Sequence, residues 1–163
     1  MRSTAPAVGG DNDRRLTMVL WFVGTSWFAV WIVFRDARFP FGAVAIGALL
    51  PDVIGLVVGR AAPSHSAVVI ALLMLVAMIA TTGRRPIRRT LLATTIGAFL
   101  HLAADLSAGD ASTFWWPASG IALPDKPIPT LERSLLVNLA LEAVGVLLIA
   151  WVTAQRRTAP SPE

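Results

Sequence analysis

The sequence predicts an all-α protein, a polytopic membrane bundle of four or five transmembrane helices, and three observations lead to this prediction. The chain has 163 residues, 55% of them hydrophobic and only 15% charged, and its mean hydropathy is +0.66. Long apolar stretches recur along it, each close to the roughly 20 residues that a helix needs to cross a bilayer. Arginines cluster where these stretches end, as they do at the cytoplasmic ends of membrane helices.

The composition limits the chemistry that this protein can perform. The chain has no cysteine, which excludes disulfides and thiolate metal sites. Its net charge of +4 comes mainly from arginine. We interpret this charge as anchoring at the cytoplasmic face of a membrane rather than as nucleic-acid binding. The expected partner is membrane lipid, with no nucleic acid.

The pattern divides the chain into one helix-bundle domain, residues 16–154, between two polar tails, residues 1–15 and 155–163, which are predicted to be disordered. Four of the apolar segments are straightforward helix predictions: 16–34, 67–82, 90–108 and 134–154. Ser64 is the expected N-cap of the helix at 67–82, with His65 in its first turn. A long loop with several prolines and glycines, residues 109–133, precedes the last helix, and a loop of this length in a small bundle is often functional.

The second apolar segment, residues 41–58, is interrupted by Pro51 and Asp52. Proline removes a backbone donor and kinks helices, so this segment either spans the membrane with a kink or is re-entrant. A span gives five helices and an N-terminus outside. A re-entrant segment gives four helices and an N-terminus inside, which the arginines of the N-terminal tail slightly favour.

The arginine cluster at 84–89 fixes the expected orientation, because positive residues in short loops stay in the cytoplasm. His65 then lies outside, and His101 and Asp105 lie in the outer half of their helix. Asn138 and Glu142 reach the outer half of the last helix. Trp115 and Trp116 are expected at the outer interface, where amphipathic rings prefer headgroup depth.

Polar residues at these depths require partners, because a charged side chain at the centre of a membrane helix costs about 2.5–3.5 kcal/mol on insertion scales. His101 and Asp105 are four residues apart and share one helix face. Together with Asp52 and His65 they offer two imidazoles and two carboxylates, which would neutralise a divalent cation such as Zn²⁺ or Mn²⁺. Glu142 is the candidate general base or added ligand. The alternatives are a hydrogen-bonded network that stabilises the bundle, a capping role for Asp52 and a protonated Glu142.

The order of these motifs resembles a family of small bacterial inner-membrane proteins described as metal-dependent hydrolases, the YdjM-like family. The resemblance rests on Leu50-Pro51-Asp52, then His65-Ser66, then His101-x-x-x-Asp105, then Trp115-Trp116-Pro117, and it covers roughly residues 40–117. It implies that Asp52, His65, His101 and Asp105 hold the metal. No histidine follows Leu50-Pro51-Asp52 here, where the family has one, which predicts a reduced or altered site.

The function that follows from these expectations is a metal-dependent hydrolase of the bacterial cytoplasmic membrane with an outward-facing site. Asp105 and Glu142 are its candidate catalytic residues, and a lipid ester or phosphoester is the expected substrate. The alternative is a non-catalytic membrane protein whose polar cluster supports packing or binds a partner or lipid.

Overall fold

A computed structural model describes residues 18–59, 61, 63–105, 110–122 and 135–159, and every regular element within them is a helix. The elements in chain order are α1 (Val19–Phe34), α2 (Phe41–Val58), α3 (Ala67–Ala80), α4 (Arg85–Ala104), the single turn α5 (Ala111–Phe114) and α6 (Leu135–Thr158). The all-α prediction is therefore confirmed for the described part of the chain. The N-terminal tail and the second half of the 109–133 loop lie outside the described residues.

The observed helix boundaries differ from the predicted ones at α3, α4 and α6. Helix α6 continues to Thr158, beyond the predicted end at residue 154 and into the tail predicted to be disordered. Ser66, not Ser64, is the N-cap of α3, and its hydroxyl accepts a hydrogen bond from the backbone N–H of Val69 (3.3 Å). The arginine cluster is not a loop, because α4 already begins at Arg85. Pro86 explains this early start, since a proline in the first helical turn has no N–H to leave unpaired.

Helix α2 is continuous over all 18 residues, with Pro51 inside it. At 1.5 Å per residue it is about 27 Å long, close to the thickness of the hydrocarbon core. Of the two alternatives predicted for this segment, the structure therefore contains the continuous helix and not the re-entrant loop.

Two pairs of helices form most of the bundle, α2 with α4 and α1 with α6. The pair α1 and α6 is parallel, because the start of α1 at Leu20 contacts Glu142 and the residues after α1, at Ala37, contact Arg156. Both pairs approach closely at glycine. A Cβ on Gly97 would clash with the backbone of Val44. Small residues commonly allow such close contact between the backbones of membrane helices.

All arginines of the described residues lie at one end of the bundle. One end holds the α1–α2 turn, the start of α4 and the end of α6. An Arg89–Asp36 ion pair of 3.0 Å between exposed side chains links α4 to the turn, and Arg156 of α6 donates to the carbonyl of Ala37. Eight arginines lie there: Arg35, Arg38, Arg84, Arg85, Arg88, Arg89, Arg156 and Arg157. The described residues of the opposite end, which include the turn before α3 and the segment 110–122, carry no lysine or arginine.

The outer faces of the helices are apolar. Helices α2 and α6 are long and apolar enough to cross a membrane, while α1 and α3 are apolar but shorter. Large apolar side chains point outward on each of these four helices, among them Val33 (72% exposed), Val57 (84%), Ile79 (67%) and Leu147 (67%). An apolar surface of this extent marks a site of contact with lipid or with other apolar molecules.

Candidate metal centre

Three side chains that the sequence singles out meet inside the bundle. Asp52 comes from the last two turns of α2, His65 from the turn before α3, and His101 from the last turn of α4. The Nε2 atoms of His65 and His101 lie 3.3 and 3.5 Å from one carboxylate oxygen, Oδ1 of Asp52. The two Nε2 atoms are 3.4 Å from each other. Three potential ligand atoms from three elements thus form a nearly equilateral triangle.

The size of this triangle fits a small tetrahedral ion. Zn²⁺ binds imidazole nitrogen and carboxylate oxygen at about 2.0–2.1 Å, so neighbouring ligand atoms around a tetrahedral ion are about 3.3–3.4 Å apart. An octahedral ion with bonds of the same length brings neighbouring ligands to about 2.8–3.0 Å. The observed edges of 3.3, 3.4 and 3.5 Å match the tetrahedral arrangement. Ca²⁺ bonds are long enough to match as well, but Ca²⁺ takes oxygen ligands and not imidazoles.

The hydrogen bonds of the two imidazoles leave both Nε2 atoms available as ligands. Nδ1 of His101 is 2.7 Å from the carbonyl oxygen of Ala48, and Nδ1 of His65 is 3.2 Å from that of Ala61. A carbonyl oxygen can only accept, so these contacts place a proton on each Nδ1, and a neutral ring then presents a lone pair at Nε2. Donation from the second ring nitrogen to a carbonyl is the arrangement that orients histidine ligands in metal sites.

This assignment leaves three acceptors facing one another. Both histidines are fully buried, and Oδ1 of Asp52 is a buried oxygen without a hydrogen-bond partner. Two lone pairs and a carboxylate oxygen within 3.5 Å repel each other unless a cation lies between them. A metal ion supplies that charge, and a proton on one imidazole is the other way to supply it. The three residues therefore fit a divalent metal in donor type, in spacing and in orientation.

Apolar packing surrounds the centre and holds its geometry. The ring of Phe22, which is 1% exposed, lies over that of His101 with centroids 3.9 Å apart. The close approach of α2 and α4 at Gly97, one turn before His101, brings the Ala48 carbonyl within reach of the imidazole. The Asp52 side chain is the least enclosed of the three, at 22% exposed, so the centre opens on its side.

Asp105 does not belong to this group. It is buried, in the turn that follows α4, and its backbone N–H donates to the carbonyl of His101 (2.8 Å). The three ligand atoms within 4.8 Å of one another come from Asp52, His65 and His101, without Asp105. The expected convergence of four ligands is therefore seen for three residues, and the roles of Asp105 as ligand and in catalysis stay predictions.

Glu142 belongs to α6, and its carboxylate reaches the start of α1, where it accepts backbone hydrogen bonds. The N–H of Leu20 is 3.1 and 3.2 Å from its two oxygens, and that of Trp21 is 3.4 Å from one of them. The first N–H groups of a helix have no partner within the helix, and a carboxylate there also interacts favourably with the helix dipole. This contact explains a glutamate in α6 without catalysis, and its role as general base stays a prediction.

Several groups that support the centre were not foreseen. Ser64 is one of them: its hydroxyl donates to the Ala61 carbonyl (2.9 Å) and lies 3.2 Å from Nδ1 of His65. Ser66 joins α3 to the segment with the two tryptophans, because its hydroxyl donates to the carbonyl of Trp116. The carbonyls of Ala48 and Ala61 carry no sequence signal, since every residue has one. The serines on either side of His65 were the only visible clue.

Comparison with known proteins adds nothing to this geometry: no family model, no curated protein and no solved structure matches the chain. The resemblance to the YdjM-like family therefore stays a prediction from the motifs.

Proposed function

We propose that this protein is an integral membrane metal-dependent hydrolase whose centre is formed by Asp52, His65 and His101, with a lipid ester or phosphoester as substrate. The observation that supports it most directly is the triangle of ligand atoms with edges of 3.3–3.5 Å, two of them from imidazoles held by carbonyl acceptors. Two imidazoles and a carboxylate are also the protein ligands of one class of catalytic zinc sites, in which the fourth position stays open.

In this proposal five helices cross the membrane, α1 to α4 and α6, with the arginine-rich end in the cytoplasm. The parallel course of α1 and α6 and the continuous α2 support five crossings over four. The centre then lies near the outer face of the bacterial cytoplasmic membrane. Lipids of that leaflet can reach it from the side of Asp52, its more exposed ligand.

Each residue of the centre has a separate role in this proposal. The histidines would bind the metal through Nε2, with the protons on Nδ1 donated to the carbonyls of Ala48 and Ala61. Asp52 supplies the negative charge and the third ligand atom, and Phe22 excludes water from the face of His101. A divalent ion held by them would act as a Lewis acid towards an ester or phosphoester oxygen.

A non-catalytic role is the second candidate, and one observation favours it. The three ligands come from α2, α4 and the turn before α3, so an ion there would fasten three elements together. Structural metal sites stabilise folds in this way. In that case all positions around the ion should be filled by the protein.

The decisive experiment combines metal analysis and hydrolysis on the same preparation in detergent. We expect one zinc, or one manganese or iron, per chain, and release of fatty acid or phosphate from lipid substrates that stops with a chelator and returns with the metal. Asp52→Ala is the matched inactive control. Stoichiometric metal without hydrolysis of any ester or phosphoester lipid would favour the structural role. Absence of metal after purification without chelators, and no binding of added Zn²⁺, would contradict both.

A further inference from the structure

A crevice of about 130 Å³ lies between α2, α3 and α4. Its walls are formed largely by apolar side chains: Leu50, Ile54, Val69, Ile70, Leu73 and Ala98. Three of these, Leu50, Ile54 and Leu73, are also 37–54% exposed on the outer surface of the bundle. The crevice therefore opens onto the apolar surface that we assign to lipid.

The hydroxyl groups in the wall already have hydrogen-bond acceptors within the protein. The hydroxyl of Ser64 donates to the carbonyl of Ala61, that of Thr94 to Thr90, and that of Thr95 to Leu92. Each donor is used within the protein, and the walls carry no charged side chain. Such a space favours a hydrocarbon over water, which needs two to four polar partners in a cavity.

The size of the crevice limits how much hydrocarbon it can hold. An apolar protein cavity of about 150 Å³ stays dry and binds benzene, a ligand of six carbons. A crevice of about 130 Å³ is thus suited to a short segment of a chain, with the remainder lying along the outside of the bundle.

Each element that provides a metal ligand also provides a wall residue close to it. Pro51 directly precedes Asp52 in α2, and Ala98 lies about one turn before His101 in α4. Ser64 directly precedes His65, and its Oγ lies 3.2 Å from Nδ1 of that histidine. A chain in the crevice therefore has one end next to the centre. This continuity is what separates the crevice from a packing defect elsewhere in the bundle.

We propose that the crevice binds the part of a membrane lipid's acyl chain that is nearest to its ester, and so selects acyl lipids as the substrate class. The assignment of a substrate rests on the proposed hydrolase function, whereas the binding of an acyl chain does not. The occupant is a hydrocarbon chain attached to a polar head, and the head points towards Asp52.

The test uses a phosphatidylethanolamine that carries a photoreactive diazirine on the acyl carbons nearest the ester. The purified full chain in nanodiscs is irradiated, and cross-linked peptides are identified by mass spectrometry. We expect cross-links in the peptides that contain Ile54, Ile70 and Leu73. Leu73→Trp fills the crevice from its exposed rim and should lower this cross-linking roughly tenfold or more, as a loss of 1.4 kcal/mol or more in binding would.

Val76→Trp is the matched control, because Val76 lies on the same helix, is 59% exposed against 54% for Leu73, and is not part of the crevice wall. It should cross-link as the wild type does, and metal content should be the same in all three proteins. Equal cross-linking in both tryptophan variants, or a wild type labelled only outside the crevice, overturns the proposal. Retained crevice cross-linking without any hydrolysis would contradict the hydrolase function alone. Hydrolysis that is unaffected by Leu73→Trp would contradict the crevice alone.

Discussion

Asp52 is the residue on which the electrostatics of the centre depend. Its carboxylate lies in a helix with apolar neighbours, and its Oδ1 is buried without a donor. A charge at this depth persists when a cation or a proton compensates it. The carboxylate and the two imidazoles are therefore coupled: the removal of any one of them changes what the other two can bind.

We expect Asp52→Asn to lower metal content and thermal stability more than Asp105→Asn does. The amide keeps the shape of Asp52 but removes its charge, whereas Asp105 lies outside the group of ligand atoms. In the wild type, excess Zn²⁺ should raise the melting temperature, since a ligand at 100 times its Kd stabilises by about 2.7 kcal/mol. Melting curves with chelator and with Zn²⁺ measure both effects. An equal loss of metal content and stability in the two variants would show that Asp105 is also a ligand. A melting temperature of the wild type that does not change with Zn²⁺ would contradict the metal site.

Ser64→Ala should weaken metal binding with little effect on the fold. The hydroxyl is one of two acceptors near Nδ1 of His65, and loss of such partners typically costs 10–100-fold in metal affinity. The Ala61 carbonyl remains, so we expect the lower end, about tenfold. Competition with a coloured zinc chelator gives the affinity. Ser112→Ala, an exposed serine outside the centre, is the control and should leave it unchanged.

At the level of elements, the contact of α2 with α4 positions two of the three ligands. Gly47 and Gly97 let the two backbones approach, and the Ala48 carbonyl then reaches His101. Contact between small residues is a common way for membrane helices to pack, because lipid offers no hydrophobic drive for helix association. A change in this contact should therefore be felt at the centre.

Gly97→Ala should separate α2 from α4, because the added methyl group would overlap the backbone of Val44 and Ala48. Overpacking typically costs about 1–3 kcal/mol, and here it should also lower metal affinity. The control is Gly42→Ala, also in this helix pair, where an added Cβ meets nothing within 4 Å. It should be neutral or slightly stabilising, since alanine is the better helix former. Equal effects of the two variants would show that the close approach does not matter.

Glu142→Ala should destabilise the protein by about 1–2 kcal/mol, the usual effect of losing a helix N-terminal cap, without changing metal content. Glu142→Gln keeps an acceptor for Leu20 and should recover part of the loss. Denaturation curves and metal analysis of both variants give the two readouts. If Glu142→Gln is as stable as the wild type but hydrolyses no substrate, Glu142 acts as the general base after all.

At the level of the whole molecule, the distribution of the arginines is the basis of the proposed orientation. The eight arginines at one end predict that this end stays in the cytoplasm and that the centre lies near the opposite face. The parallel helices α1 and α6 then both begin on the opposite side and end in the cytoplasm.

Single cysteines test the orientation cleanly, because the natural chain has none. Arg85→Cys and Ser119→Cys both replace exposed residues, one at each end. In intact cells, a membrane-impermeant maleimide should label Ser119→Cys and leave Arg85→Cys unlabelled until the cells are opened. The reverse pattern would show that the orientation is opposite to the proposed one. Labelling of both variants in intact cells would show that α4, which lies between the two positions, does not cross the membrane.

The sequence predicts the helices well because apolar length is a local property. Residues 41–58 were predicted with the bounds that α2 has, in spite of Pro51. The start of α4 was missed because arginines suggest a loop, although Pro86 favours a helix start. Whether α2 turns back depends on its neighbours, and a single sequence does not contain that information.

The same distinction applies to the centre. His65, His101 and Asp52 could be predicted to meet, because residues of these types rarely occur in apolar helices without partners. Asp105 shares a helix face with His101 by spacing, yet α4 ends at Ala104 and Asp105 lies in the turn beyond it. Glu142 reaches the start of α1 through the pairing of the first and last helices, a long-range contact that no local pattern reveals.

The hydrogen bonds from Leu20 and Trp21 to Glu142 also bear on how the protein is made. Helix α1 is synthesised before α6, and the carboxylate that satisfies its initial N–H groups follows more than a hundred residues later. Until α6 arrives, those N–H groups need water or a chaperone, since lipid offers them no acceptor. Nascent chains that stop before Glu142 should therefore leave α1 loosely inserted and open to degradation.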